Sequence, residues 1–211
     1  CEGEFGISRR EWRVLAHLAP HCSEYWATDL SPATIRKLSA AVAEQPWGER
    51  VRLHAQPADV ADGLPVGHFD TVVLNSVIQY FPSAGYLLDV VAMAMRLLTP
   101  GGALVLGDVR NLALLPAFTT KVVSSDSNAL QESAAAVCER VRWEIASEQE
   151  LLLSPEFFVA LQKKFPEIAA VDIQLKRMTA VNELSGYRYD VVLRKAPVAA
   201  AVRSVAGLAA D

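Results

Sequence analysis

The chain has 211 residues, of which 52% are hydrophobic, and carries a formal net charge of −4. This length and apolar content suit one globular domain with a sizeable core, and the acidic balance provides no basic field for a nucleic-acid backbone. The three cysteines are far apart, no C-x-x-C spacing occurs, and no apolar run approaches the roughly 18 residues of a membrane span. We therefore expect a cytoplasmic protein without a disulfide framework, a metal site, or a nucleic-acid or membrane partner.

The first part of the chain predicts strands that alternate with helices. Apolar residues at helical spacing predict a helix over Trp12 to Leu18, and the short aromatic segment from Glu24 to Ala27 predicts a strand. Ser31 and Pro32 are typical of a helix start, and the helix continues to Val42. A strand is predicted over Val51 to Ala55. Strands that alternate with helices indicate a parallel sheet with helices on both faces.

Two further predicted strands are each followed by polar residues. The first covers Thr71 to Leu74, and the second covers Ala103 to Leu106 after a Gly-Gly turn. A helix over Tyr86 to Leu98 separates them. Because open α/β sheets bind ligands at the carboxyl ends of their strands, the polar residues beyond these two strands are a site candidate.

The later part of the chain changes in character. Leu112 to Phe165 predicts a helical stretch without strands, which includes Ala134 to Leu153. Strands are predicted over Val171 to Leu175 and Tyr189 to Leu193. The alanine-rich segment 196–211 is interpreted as a tail or linker, with a weak helix as the alternative.

Four segments together resemble class I S-adenosylmethionine-dependent methyltransferases, and most closely the methyltransferase domains of nonribosomal peptide synthetases. The resemblance covers roughly His17 to Lys195 and implies a methyltransferase domain over residues 1–195. It implies an α/β fold with a Rossmann-like, doubly wound, mostly parallel sheet, an antiparallel last strand, and a helical insertion or lid over 112–165. The segments are Tyr25-Trp-Ala-Thr-Asp-Leu-Ser31, Asn75-Ser-Val-Ile-Gln-Tyr-Phe81, Gly107-Asp-Val-Arg-Asn111 and Asn182-Glu-Leu-Ser-Gly-Tyr-Arg-Tyr-Asp190.

The resemblance implies an adenosyl-binding role for residues that follow the first two strands. Asp29, with Leu30 beside it, would accept hydrogen bonds from the ribose hydroxyls of S-adenosyl-L-methionine. Capping of the next helix is the alternative for Asp29, and Ser31 competes for that role. Ala58 and Asp59 match the adenine-binding position. For Asp59, the alternatives are that the nearby Asp62 takes this role or that the segment is a plain surface loop.

Residues after the third strand would hold the methionine portion of the cofactor. Asn75 and Ser76 stand where this portion and the methyl group are expected. Gln79 and Tyr80 could frame the sulfonium, a cation that aromatic faces and carbonyl oxygens stabilise. The alternative is that Tyr80 and Phe81 simply pack under a helix.

The acceptor would lie beside two other segments. Asp108, Arg110 and Asn111 would border it, and Asp108 would either help to deprotonate an amine or pair with Arg110. Glu183 would hold or deprotonate the amine, and Tyr187 would position it. The alternative is a surface hairpin with a weak Glu/Arg pair.

These residues lead to the hypothesis of an N-methyltransferase that acts on a carrier-bound aminoacyl or peptidyl amine, with other synthetase domains as partners. A stand-alone enzyme that methylates oxygen or carbon of a small molecule, and a non-catalytic binding domain, are the alternatives. The glycine-rich first motif of the family is not found, since Cys1 to Glu11 holds only Gly3 and Gly6. Residues that precede Cys1, an N-terminal segment of other origin, or a degenerate domain would each explain this.

Overall fold

The computed structural model of the chain describes residues 9–126, 132–176 and 182–198. The chain divides into two compact units, unit 1 up to Gly63 and unit 2 from Leu64. In the described parts, no helix is both long and apolar enough to cross a membrane. The helices are α1 (Arg9–Leu18), α2 (Pro32–Ala43), α3 (Ala84–Leu97), α4 (Leu115–Ser124), α5 (Ala134–Ala146), α6 (Pro155–Lys164) and α7 (Glu183–Tyr187). The strands are β1 (Tyr25–Asp29), β2 (Val51–Ala55), β3 (Phe69–Asn75), β4 (Leu98–Arg110), β5 (Ile168–Leu175) and β6 (Arg188–Lys195).

Unit 1 contains the parallel pair β1 and β2, in register from Tyr25 opposite Val51 to Asp29 opposite Ala55. The Ser31 hydroxyl accepts a hydrogen bond from the Thr34 amide at 3.2 Å, and Pro32 opens α2. The predicted cap is thus confirmed, with a side chain that satisfies one of the free amides of the first turn. A buried apolar cluster forms the core of this unit: Leu15, Ala19, Leu38, Ala41, Val42 and Val51.

Unit 2 is built on a sheet of four strands in the order β3, β4, β6, β5. β3 and β4 are parallel, whereas β6 is antiparallel to both β4 and β5. The predicted antiparallel last strand is confirmed. β4 is buried at Leu98, Leu104 and Leu106 because apolar side chains cover the sheet, and the core continues into α3, α6, β5 and β6. The described strands therefore confirm the predicted α/β fold, with β1 parallel to β2, β3 parallel to β4, and an antiparallel last strand.

β4 is longer than predicted, because the Gly-Gly turn lies inside it. Phe69 of β3 pairs with Leu98, but Thr71 pairs with Ala103, so the intervening residues of β4 bulge out of register. Gly101 has a φ of 80°, and a Cβ on Gly102 would lie 2.9 Å from the Asp70 carbonyl oxygen. Only glycine fits this bulge without strain or a clash.

The predicted helix over Ala134 to Leu153 ends earlier, at Ala146. The Glu148 carboxylate accepts hydrogen bonds from the Gln149 and Glu150 amides, which turns the chain out of the helix. The residues that follow form backbone hydrogen bonds near the carboxyl ends of β3 and β4. There the Leu151 amide donates to the Gln79 carbonyl at 2.8 Å and the Leu153 amide donates to the Arg110 carbonyl at 3.1 Å.

The core of unit 2 predicts that two leucines of neighbouring strands contribute very differently to the free energy of unfolding. Leu193 in β6 is 0% exposed and Leu175 in β5 is 81% exposed. Leu193→Ala is expected to lower the free energy of unfolding by about 2–5 kcal/mol, because it leaves a cavity. Leu175→Ala should change it by about 0.5 kcal/mol or less. Urea unfolding measures both, and equal losses in the two variants would contradict the placement of the core.

Candidate active site

In unit 1, Asp29 lies at the carboxyl end of β1, beside the end of β2. One oxygen of its carboxylate accepts a hydrogen bond from the Ser31 amide at 2.7 Å, while Ser31 itself caps α2. The capping alternative for Asp29 therefore does not hold. The other Asp29 oxygen accepts no hydrogen bond from the described residues of unit 1, so it can accept from a ligand. Leu30, next to it, is 75% exposed.

The predicted adenine position lies in the loop after β2. The Gln56 side chain donates to the Val60 carbonyl at 2.8 Å and holds this loop together around Ala58. Asp59 and Asp62 are both exposed on it. Their burial does not distinguish between the two carboxylates, and both stay candidates.

In unit 2, Asn75 and Gly107 are partners at the carboxyl ends of β3 and β4. A Cβ on Gly107 would lie 2.1 Å from the Asn75 side-chain oxygen, which is far inside van der Waals contact. The Ser76 amide donates to the Gly107 carbonyl at 3.0 Å, and the Asn75 amide group donates to the Ser76 hydroxyl at 3.2 Å. Gly107 therefore provides the space that the Asn75 side chain occupies.

Two residues next to this pair have left-handed backbone conformations. Ser76 has a φ of 55° and Asp108 has a φ of 63°. For residues other than glycine, such conformations are uncommon, cost on the order of 1–3 kcal/mol and cluster at functional sites. Ser76 and Asp108 therefore lie at the carboxyl ends of two neighbouring strands, where the sequence predicted a ligand site.

Gln79 and Tyr80 lie in the short 3-10 turn Ile78–Tyr80, but they face different environments. Gln79 is 2% exposed, and its amide group donates to the Ser76 carbonyl at 3.2 Å. Its side-chain oxygen is buried without a hydrogen-bond partner among the described residues. Tyr80 is 60% exposed, whereas Phe81 packs on Tyr86 and the core. The packing alternative thus holds for Phe81 but not for Tyr80.

Asp108 pairs with Lys176, and the alternative of a pair with Arg110 is wrong. The Lys176 ammonium lies 2.6 Å from one Asp108 oxygen and 2.7 Å from an Asp190 oxygen. The Ser76 hydroxyl donates to the other Asp108 oxygen, and the Asp108 amide donates to Asp190 at 2.9 Å. Sequence reasoning missed Lys176 and Asp190 because no motif signals a contact between residues this far apart in the chain.

These contacts keep the Asp108 carboxyl ionised. Burial alone would raise its pKa, but the hydrogen bonds from Lys176 and Ser76 and the charge of Lys176 outweigh burial and lower it. Burial would likewise lower the pKa of Lys176, yet its bonds to Asp108 and Asp190 raise it. A carboxylate whose pKa is lowered is a poor proton acceptor for an amine. Asp108 therefore suits an anchoring role better than the role of a base.

Four of the five residues predicted to border the acceptor come together in a small pocket. The Asn111 amide donates to the Tyr187 carbonyl at 3.1 Å, which joins the end of β4 to α7. Glu183 and Arg188 form an ion pair at 2.8 Å. Phe118 of α4, which lies in the segment that the sequence left without assigned site residues, stacks edge-on against Tyr187 with ring centroids 5.0 Å apart. The lining comprises Arg110, Asn111, Leu115, Phe118, Leu152, Glu183, Tyr187 and Arg188, without Asp108.

Arg110 is held between carboxylates of the segment after α5. Its guanidinium lies 2.8 Å from Glu148 and 2.9 Å from Glu150, and it stands over the Phe118 ring at 5.9 Å. Burial opposes the ionisation of Glu148, but hydrogen bonds from the Glu150 amide and Arg110 lower its pKa. These contacts fix the pocket wall at the end of β4.

The sequence comparisons identify the family. Residues 12–104 match a family model described as a methyltransferase domain. The chain is 46% identical over 184 residues to a probable nonribosomal peptide synthetase, CymA, of Salinispora arenicola, and 44% identical over 181 residues to chondramide synthase of Chondromyces crocatus. These matches cover 87% and 86% of this chain but only 2% and 5% of the relatives, so the chain spans a small part of their length.

Solved structures show the same fold. An N-methyltransferase of Bradyrhizobium japonicum, NodS, in complex with S-adenosyl-L-homocysteine, has a TM-score of 0.52 at 15% identity, covering 86% of this chain and 71% of its own. A methyltransferase of Methanosarcina mazei has a TM-score of 0.56 at 13% identity, covering 87% of each chain. The family model shows that the chain carries a methyltransferase domain over residues 12–104, and its fold is that of S-adenosylmethionine-dependent methyltransferases. The chain is also similar to segments of nonribosomal peptide synthetases.

The tight contact between Gly107 and Asn75 predicts that one methyl group added at Gly107 destabilises the fold. Gly107→Ala is expected to lower the free energy of unfolding by about 1–3 kcal/mol, because the added Cβ forces Asn75 to move. Gly186→Ala is the matched control, since a Cβ there meets nothing within 4 Å. Urea unfolding compares the two. A Gly107→Ala protein as stable as Gly186→Ala would contradict the geometry of the strand ends.

The lowered pKa of Asp108 predicts a pH-dependent contribution to stability. The ionised carboxylate stabilises the fold above the unfolded pKa of about 3.9, and this contribution is lost as the pH falls through the lower folded pKa. Asp108→Asn should therefore lower the free energy of unfolding by about 1.5–3 kcal/mol at neutral pH. The deficit should shrink towards strong acid. Urea unfolding across this range, with the exposed Asp89→Asn as control, measures it, and a deficit that stays constant would contradict the assignment.

Proposed function

We propose that the chain transfers the methyl group of S-adenosyl-L-methionine to the α-amino nitrogen of an aminoacyl or peptidyl group, carried as a thioester by a carrier protein in nonribosomal peptide synthesis. The observation that carries the proposal is that Arg110, Glu183 and Tyr187 lie together at the end of β4, where Glu183 and Tyr187 also line a wider cleft with Phe118. Its relatives among nonribosomal peptide synthetases support the substrate class.

The residues present fit an adenosyl sulfonium cofactor. In unit 1, the Asp29 oxygen that is not bonded to Ser31 can accept from a ribose hydroxyl. In unit 2, the buried Gln79 oxygen, which has no partner in the part of the chain that the structure describes, can receive a donor or face a positive charge, which relieves the cost of an unsatisfied polar atom. Asn75 and Ser76 would hold the methionine portion. When bound, the cofactor supplies an electrophilic methyl group.

Glu183 is suited to hold the acceptor amine. Its carboxylate is half exposed and its pair with Arg188 is partly solvated, so that pair contributes about 0.2–1 kcal/mol and can rearrange at low cost. A free α-amino group has a pKa near 8, and an amine near neutral pH therefore needs only modest help to lose its proton. Glu183 would accept a hydrogen bond from the amine and direct its lone pair, with the proton leaving to water.

Tyr187 and Phe118 would fix the position of the acceptor. Their edge-on contact orients both rings, and the Lys121 ammonium stands over the Tyr187 ring at 5.7 Å. Because methyl transfer is an in-line displacement, the main contributions of such a pocket are alignment and the exclusion of water. Arg110, locked by its two carboxylates, provides a rigid wall for that alignment.

Product analysis tests the function directly. The chain is incubated with S-adenosyl-L-methionine and an aminoacyl thioester on a carrier protein, and the amino acid is released and identified by mass and by the position of its methyl group. An N-methyl amino acid is expected. Methylation of oxygen or carbon would favour the small-molecule alternative, and no transfer to any acceptor by a folded protein would favour a non-catalytic domain.

The ribose role of Asp29 predicts a loss of cofactor affinity. Asp29→Asn is expected to weaken the binding of S-adenosyl-L-homocysteine about tenfold or more, since hydrogen bonds to a charged group contribute about 1.5–3 kcal/mol. Calorimetric titration measures the dissociation constant. Asp89→Asn, an exposed change in α3, should bind as the parent chain does, and equal affinities for both variants would refute the role.

The role of Glu183 predicts a defect in transfer without a defect in cofactor binding. Glu183→Gln should lower kcat/KM for the aminoacyl thioester about 100-fold, because the neutral amide loses the charged hydrogen bond that holds and aligns the amine. Its affinity for S-adenosyl-L-homocysteine should be unchanged. The matched control is Glu139→Gln, which breaks another Glu/Arg pair on the surface. A rate equal to that of the control would show that Glu183 is only a surface residue.

A further inference from the structure

Four residues, each in or directly after a different strand of the four-stranded sheet, form a single polar network at the carboxyl ends of β3, β4 and β5. Ser76 directly follows β3, Asp108 lies near the end of β4, Asp190 lies in β6, and Lys176 directly follows β5. Asp190 is near the start of β6, but β6 is antiparallel to its neighbours, so its start meets their carboxyl ends. Four strands far apart in sequence are thereby joined at the edge where the ligand residues lie.

Lys176 occupies the centre of this network. Its ammonium bridges Asp108 at 2.6 Å and Asp190 at 2.7 Å, and the side chains of Lys176 and Asp108 are 15% and 16% exposed. At such burial, an ion pair that loses one partner leaves a costly uncompensated charge. Without Lys176, Asp108 and Asp190 would face each other as two carboxylates joined only through the Asp108 amide.

The network ends on a residue whose backbone is strained. The Ser76 hydroxyl donates to the Asp108 oxygen that Lys176 does not hold, and Ser76 and Asp108 are the two non-glycine residues with positive φ among those described. Strained conformations persist only where the surroundings over-determine them. The bonds of Lys176 and Asp190 to Asp108 supply part of this restraint, beside the hydrogen bonds that join Ser76 to Asn75, Gln79 and Gly107.

We infer that Lys176 and Asp190 are positioning residues, which act through Asp108 to hold Ser76 and its neighbour Asn75 in the conformation that binds the cofactor. The part of this inference that concerns the cofactor rests on the proposed function. Neither residue needs to touch a ligand. Lys176 restrains the carboxylate, and Asp190 fixes both the ammonium and the Asp108 amide.

Amide hydrogen exchange of the full chain without ligand tests the restraint. In Lys176→Met, peptides that contain Ser76 and Asp108 should exchange at least tenfold faster than in the parent chain, while peptides from α3 keep their rates. Lys176→Arg, which restores the charge and two or more donors, should recover most of the protection. Lys163→Met, an exposed lysine of α6, is the matched control and should leave exchange at Ser76 unchanged.

Two results would overturn the inference. One is unchanged exchange at Ser76 in Lys176→Met. The other is a uniform increase that includes α3, which would mean that Lys176 supports only global stability.

Titration of the same proteins with S-adenosyl-L-homocysteine separates this inference from the proposed function. Weaker binding in Lys176→Met that Lys176→Arg restores supports the cofactor role of the network. If the parent chain binds no S-adenosyl-L-homocysteine, the proposed function fails. The exchange data then still decide whether Lys176 restrains Ser76.

Discussion

The ion pair between Lys176 and Asp108 is the interaction on which the site of unit 2 depends. It joins the end of β5 to β4 and, through the Ser76 hydroxyl, to the end of β3. Because Asp108 is kept ionised, it can hold the donors around it, and the left-handed backbone at Ser76 and Asp108 is surrounded by fixed contacts. Gly107 completes this arrangement, since only a residue without a side chain leaves room for Asn75.

The proposed acceptor pocket depends on a second set of contacts, at the end of β4. Arg110 draws the segment after α5 to the sheet through Glu148 and Glu150, and backbone hydrogen bonds from Leu151 and Leu153 extend that attachment. The Glu183 pair with Arg188 is more exposed than these contacts and therefore contributes less to stability. This difference is the reason why we propose that Glu183, and not Arg110, holds the acceptor.

Local signals in the sequence were strong enough to predict most elements of the fold. β2 has the predicted bounds, and the predicted helix starts at Ser31 and near Tyr86 agree closely with α2 and α3, because caps and apolar periodicity act over a few residues. The length of β4 and the end of α5 could not be predicted. The first depends on a bulge packed against Asp70, and the second on hydrogen bonds that the segment after α5 makes with Gln79 in the turn after β3 and with Arg110 in β4.

The candidate site was predicted in part. The strand ends pointed to Asn75, Ser76 and Asp108, and the segment from Asn182 to Asp190 pointed to Glu183 and Tyr187. The residues that contact these side chains were harder to predict, because an ion pair between residues tens of positions apart produces no periodic pattern in the sequence. Lys176 followed a predicted strand without any motif, and Phe118 lay in a helical segment that gave no hint of its contact with Tyr187.

The most direct test of this account is a backbone-amide NMR titration of the isotope-labelled chain with S-adenosyl-L-homocysteine. The account predicts shifts in the amides of Asp29 and Ser31, of Asn75 to Gln79, and of Asp108 to Asn111. Amides at the opposite edge of the sheet in unit 2, such as those of Thr71 and Ala170, should not shift. A folded chain whose shifts are absent, or occur only away from these strand ends, would contradict the assignment of the cofactor site.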